Sequence, residues 1–219
     1  MKGTQKTVAA IYTGLALVEP GKQAFAELLP DVRAVSILDE SLIADVIRDG
    51  YMTKSVLRRL YQCCCSAVEM GADVILETCS SVGESVDLLQ PFFDIPIIRI
   101  DEAMIREAMK VEGTIGVIAT LPTTLEPTCR FAERLAKEAG LSIEVQQGLA
   151  AGAFEAICNG NKATHDALIL QQAKSMNECK SFLLAQGSMG HMEKPLAEVT
   201  GKPVFTSLRR GIEAVKAYL

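Results

Sequence analysis

Eight short apolar runs rich in Val and Ile recur along the chain, with longer stretches of helical periodicity between them. The runs are Thr7–Tyr12, Val32–Leu38, Asp73–Leu76, Ile97–Ile100, Thr114–Ala119, Ser142–Gln146, Ser181–Leu184 and Pro203–Thr206. They lack polar alternation, which predicts strands buried on both faces of a parallel sheet. The clearest helix is Thr53–Met70, where Val56, Leu57, Leu60, Tyr61, Cys64, Ala67 and Val68 share one face and Gly71 follows as a C-cap. Pro127–Ala139 ends at Gly140 in the same way, with Thr123 and Thr124 placed to cap it, and His165–Asn177 is a third candidate. Strands alternating with helices predict βαβ units with right-handed crossovers.

An internal repeat organises these elements. AIYTGLALVEP from Ala10 matches VIATLPTTLEP from Val117 at an offset of 107 residues, which also separates Pro96 from Pro203. The expected architecture is an α/β fold of two pseudo-symmetric lobes, each a four-stranded, mostly parallel sheet flanked by helices. Residues 1–112 and 113–219 form the two lobes, the last helix crosses back onto the first, and the active site lies in the cleft between them.

Composition narrows the function classes. Lys and Arg total 22 against 27 Asp and Glu, a net charge of −5, which argues against nucleic acid or an anionic membrane as the main partner. Seven cysteines, three of them consecutive at Cys63–Cys65, do not make a secreted disulfide framework and point to a reducing compartment. The apolar stretch at the N-terminus is too short for a signal or a membrane span. A cytoplasmic protein is expected, a homodimer on symmetry grounds. With no C-x-x-C pair and two histidines, His165 and His191, no metal site is expected. No G-x-G-x-x-G or Walker A sequence occurs, so no nucleotide cofactor is indicated.

In parallel sheets ligands bind outside the carboxyl ends of the strands. Four such ends carry hydroxyl- or thiol-bearing residues: Thr13; Thr78-Cys79-Ser80-Ser81; Thr120 to Thr124; and Gly187-Ser188-Met189-Gly190. If the lobes face each other, Cys79 and Ser188 lie across a shared cleft, each at a helix start whose free N–H groups favour an anion. That field lowers the expected pKa of Cys79. Asp101 and Glu102 are expected in a solvated first helical turn, and Arg209 and Arg210 on the surface. Cys63–Cys65, Cys129, Cys158 and Cys179 are read as inert helix residues.

The TCSSVGE segment at Thr78–Glu84, the GSMGHM segment at Gly187–Met192 and the two-lobed repeat resemble the aspartate/glutamate racemase superfamily, which includes hydantoin racemases, maleate cis–trans isomerases and arylmalonate decarboxylases. The resemblance implies a racemase or isomerase without metal or pyridoxal phosphate, acting on a small carboxylic acid, amino acid or hydantoin-like compound. Members place one cysteine in each lobe on opposite faces of the substrate, one removing a proton beside a carbonyl and the other returning it. Cys79 matches the first cysteine, and Ser188 occupies the place of the second. Thr13, Ser80, Ser81, Thr120 and Gly190 are the implied substrate-binding residues; Met189 between Ser188 and Gly190 is counted with them, and His191, three residues after Ser188, is placed to assist it as an auxiliary. Serine is far less acidic than cysteine, so two alternatives stay open: a lyase or hydrolase-like enzyme using Cys79 as nucleophile, and a non-catalytic sensor of small acids.

Overall fold

The structure, a computed structural model, describes residues 5–219. The first sheet contains β1 (Thr7–Tyr12), β2 (Arg33–Leu38), β3 (Val74–Glu77) and β4 (Ile97–Arg99), interleaved with α1 (Val18–Leu28), α2 (Glu40–Asp49), α3 (Lys54–Glu69) and α4 (Ser85–Leu89), and followed by α5 (Glu102–Ala108). The second contains β5 (Ile115–Ala119), β6 (Val145–Leu149), β7 (Ser181–Leu184) and β8 (Val204–Thr206), with α6 (Pro122–Glu138), α7 (Ala153–Cys158), α8 (Lys162–Ser175), α9 (Glu193–Thr200) and finally α10 (Ser207–Ala214). Strand orders are β2-β1-β3-β4 and β6-β5-β7-β8, every pairing parallel. The sequence repeat is therefore a repeat of topology. Among the described residues no helix is long and apolar enough to cross a membrane.

Every residue of β1, β3, β5 and β7 is buried. The edge strands β2 and β6 are not: in β2, half-buried Val35 and Ile37 alternate with exposed Ser36 and Leu38. A sheet edge covered on one face has no use for a continuous apolar run. That also explains why β6 starts at Val145 rather than Ser142. Its register on β5 begins at Ile115↔Val145, and an exposed edge tolerates Gln146 and Gln147.

Helix α3 starts where its cap dictates, with the Thr53 hydroxyl accepting the Val56 N–H at 3.3 Å, and buries Val56, Leu60, Cys64 and Ala67. Helix α6 begins at Pro122, not near Pro127. A proline in the first turn loses no internal bond, so Thr123 and Thr124 are helical residues rather than caps. Cys179 lies in the turn before β7, outside any helix.

Two compact units result: the chain up to Glu102 together with Leu208–Leu219, and Ala103–Ser207. The division falls at the start of α5, after Glu102 and ahead of position 112, because Met104, Ile105 and Ala108 bury their side chains with Ile115, Val117 and Leu183. Helix α10 belongs to the first unit, where Ile212 and the following Val215 pack among Val8, Val74 and Ile98. Gly211 permits that approach; a Cβ there would stand 2.5 Å from the Ile100 carbonyl oxygen.

Candidate active site

In the first unit β3 ends at Glu77, and the chain turns through Thr78 and Cys79 into a 3-10 turn at Ser80–Val82. Thr78 fixes the turn, its N–H and hydroxyl donating to the Ile11 carbonyl at 3.2 and 2.7 Å. The Cys79 N–H donates to Glu77 Oε1 at 2.7 Å. The Cys79 sulfur accepts from the Thr13 hydroxyl and from both the N–H and the hydroxyl of Ser81. Three donors from two strand ends thus surround one sulfur, and Ser80 is buried beside them.

Burial pushes the Cys79 thiol up, to about 11, and the Glu77 charge adds to the rise; the Thr13 and Ser81 donors only reduce it. The expected lowering is therefore reversed. Its premise was a helix dipole, and three residues of 3-10 turn supply none of useful size.

Behind Cys79 lies a row of buried charges. Glu77 and Arg99 are register partners on β3 and β4. Arg99 reaches Asp101 with Nε and Nη2 at 3.0 and 2.9 Å, the two side chains only 3% and 1% exposed. Gly83 makes room for this pair, since a Cβ there would meet Arg99 Nη2 at 2.6 Å. Asp101 is thus not in a solvated helical turn: the pairing with Arg99 draws it inside. With Arg99 committed to Asp101, Glu77 Oε2 is buried without a partner. Burial foremost pushes the Glu77 carboxyl up, to about 8; the Asp101 charge contributes to the rise, while the Cys79 N–H and Arg99 oppose it.

A pH dependence follows. The folded state keeps a proton on Glu77 that the unfolded chain releases near the ordinary value of 4.5, so this group costs stability as pH rises from there to about 8. Glu77→Gln retains the acceptor for the Cys79 N–H and removes the titration. The melting temperature of Glu77→Gln minus that of wild type is expected to climb between pH 5 and pH 8. A difference that stays flat with pH would contradict this account.

In the second unit the N–H and hydroxyl of Thr120 donate to Gln186 Oε1 at 2.5 and 2.9 Å. Ser188 is exposed in the 3-10 turn Gly187–Met192, and its carbonyl oxygen lies 3.2 Å from His191 Nδ1. The other ring nitrogen of His191, Nε2, is 2.8 Å from Asp166 Oδ1. Gly190 is half-buried, with space where a Cβ would stand. Met189 departs from its expected role, for its side chain is fully buried among Ile118, Ile169 and Phe182. Three residues per 3-10 turn send Met189 and Met192 inward together, so Met189 contributes packing rather than a ligand contact. Arg209 keeps to the surface in an ion pair with Glu27.

The model of the Asp/Glu/hydantoin racemase family matches residues 11–215, a span that includes Thr13, Cys79, Thr120 and Ser188. The chain belongs to the Asp/Glu/hydantoin racemase family. Its fold is similar to that of glutamate racemase from Francisella tularensis in complex with D-glutamate, with a TM-score of 0.77 and 14% identity over 97% of this chain and 80% of that one. Aspartate racemase from Picrophilus torridus gives a TM-score of 0.71 at 13% identity over 97% and 94% of the two chains. Allantoin racemase from Pseudomonas fluorescens gives 0.64 at 16% over 96% and 89%. A search of curated proteins finds no match.

This racemase-family chain also has polar groups that sequence reasoning missed or, for Asp101, misplaced. Glu77 closes an otherwise apolar strand, an anomaly visible in VILE itself. Arg99 and Asp101, two apart, share one face of the chain as strand periodicity dictates. Gln186 and Asp166 left no such trace, since their partners Thr120 and His191 come close only in the fold.

Proposed function

We propose that this member of the family is a racemase or isomerase that works without a cofactor on the carbon beside a carbonyl, in a small carboxylic acid, amino acid or hydantoin-like compound. Cys79 is the acid and base, and Ser188 takes the part the family gives to a second cysteine. The ring of donors around the Cys79 sulfur carries the reading. Thr13 and Ser81 stabilise a thiolate when it forms, while burial keeps the resting group a thiol. The thiolate, once formed by loss of its proton to solvent and held by these hydrogen bonds, takes the proton from the carbon beside the carbonyl and becomes the thiol, while the Ser188 hydroxyl supplies the replacing proton on the opposite face and is reprotonated from solvent. Ser80, Thr120 and Gly190 are assigned to holding the substrate's polar groups, and the names of the similar structures, glutamate, aspartate and allantoin racemases, supply the first candidates.

The test is incubation of the full chain with each enantiomer of glutamate, aspartate and allantoin in deuterated water, read by proton NMR and polarimetry. Deuterium at the stereogenic carbon, inversion and an intact carbon skeleton are expected for at least one compound. A substrate that loses carbon dioxide or gains water instead establishes the lyase or hydrolase reading. Binding without exchange establishes the sensor.

A further inference from the structure

His165 and Asp166 lie in the first turns of α8, and His191 lies in the 3-10 turn that carries Ser188. The fold brings these side chains to one point. His165 Nδ1 and His191 Nε2 each lie 2.8 Å from the same atom, Asp166 Oδ1, and all three donor atoms are within 4.8 Å of one another. The imidazole rings stack at 25° with centroids 5.9 Å apart.

The hydrogen positions make this arrangement chemically specific. His191 Nδ1 faces the Ser188 carbonyl, which only accepts, so Nδ1 carries the hydrogen. In a neutral ring Nε2 then presents a lone pair, and it presents it to a carboxylate oxygen, another lone pair. Two acceptors at 2.8 Å require a positive centre between them. A backbone carbonyl fixing one imidazole nitrogen so that the other is free to ligate is the usual support of a metal-bound histidine.

We propose that His165, Asp166 and His191 form a site for a divalent transition metal of the zinc, cobalt and nickel class, clamping α8 to the turn that bears Ser188. Two imidazole nitrogens and one carboxylate oxygen suit these ions and not magnesium or calcium. Bond lengths of about 2.0–2.2 Å place tetrahedral ligand atoms roughly 3.3 Å apart, so each nitrogen must withdraw from Asp166 by about half an ångström. The His191 and Asp166 side chains, 34% and 23% exposed, have room for that movement, while buried His165 is the fixed side of the site. Three protein ligands leave a fourth position for water or an anion. The Lys162 ammonium occupies the other carboxylate oxygen and is itself exposed, so it opposes the ion without blocking it. The sequence expectation of no metal rested on spacing along the chain, and 25 residues between the two histidines conceal their contact.

The test uses the full chain stripped with EDTA and titrated with Zn²⁺ by calorimetry and with Co²⁺ by visible absorption. One equivalent is expected, with the intense d–d bands of tetrahedral Co²⁺ and a Zn²⁺-dependent rise in melting temperature. His191→Ala, whose exposed position makes unfolding no concern, and Asp166→Asn should weaken binding by more than the roughly 10–100-fold typical of losing a supporting group. Lys162→Ala should tighten it. Equal affinity in wild type and His191→Ala overturns the site, as do thiolate-to-cobalt charge-transfer bands, which would move the metal to cysteines such as exposed Cys158. Absence of binding overturns it too and leaves an imidazolium–carboxylate clamp.

Discussion

Cys79→Ala is expected to fold as wild type and to lose turnover by about 10²–10⁴-fold, the usual contribution of one positioned acid–base group. Fold retention follows because Cys79 is only partly buried and the turn it stands in is held by backbone contacts and by Thr78, not by the sulfur. The rate loss follows because no neighbouring group can stand in. Thr13 and Ser81 are hydroxyls, far too weakly acidic to replace a thiol, and Glu77 is buried behind the turn with one oxygen engaged by the Cys79 N–H. Single-turnover deuterium exchange on the substrate found by NMR separates this from a binding defect: the rate should fall while the dissociation constant holds. Ser188→Cys is the companion experiment, and a preserved or raised rate there supports the assignment of the second position. Exchange by Cys79→Ala at the wild-type rate would remove Cys79 from the mechanism.

The elements that were legible in the sequence are those whose patterns are local. Fully buried strands such as VAAIY and IGVIA announce themselves because both faces are apolar, and α3 does so because its buried face repeats at helical spacing and Thr53 caps it. The β6 boundary was not legible, for at a sheet edge the chain is free to be polar. The two strand-end turns that carry Cys79 and Ser188 were found through hydroxyl- and thiol-rich composition next to apolar runs. Their electrostatics were hidden, because the state of Cys79 depends on Glu77, and that of Glu77 on Arg99, 22 residues away and already paired. The position of α5 was hidden for a similar reason. Its apolar face fits either core by pattern, and only packing assigns it to the second.

The Arg99–Asp101 pair is where a single substitution should cost the fold most. Asp101→Asn keeps the shape of the side chain and removes its charge, taking the bidentate carboxylate from a guanidinium whose side chain is only 3% exposed. Breaking a buried pair from one side costs about 3–5 kcal/mol, because the surviving charge stays desolvated. Denaturant unfolding followed by circular dichroism should show the midpoint falling by that equivalent with an unchanged slope. The loss should also depend on pH in a definite direction. Glu77 is the register neighbour of Arg99, and losing the Asp101 charge removes one of the causes that raise its carboxyl. Glu77 in the variant therefore ionises at a pH below the wild-type value of about 8 and supplies negative charge beside Arg99, so Asp101→Asn is expected to be less damaging at pH 9 than at pH 6. Replacing both partners, Arg99→Met with Asp101→Leu, removes the stranded charge altogether and should cost less than Asp101→Asn alone. If the single substitution costs under about 1 kcal/mol at pH 6, in the range of an exposed ion pair, the pair is not buried as described. Glu77 would then have lost the reason it is left without a counter-charge beneath Cys79.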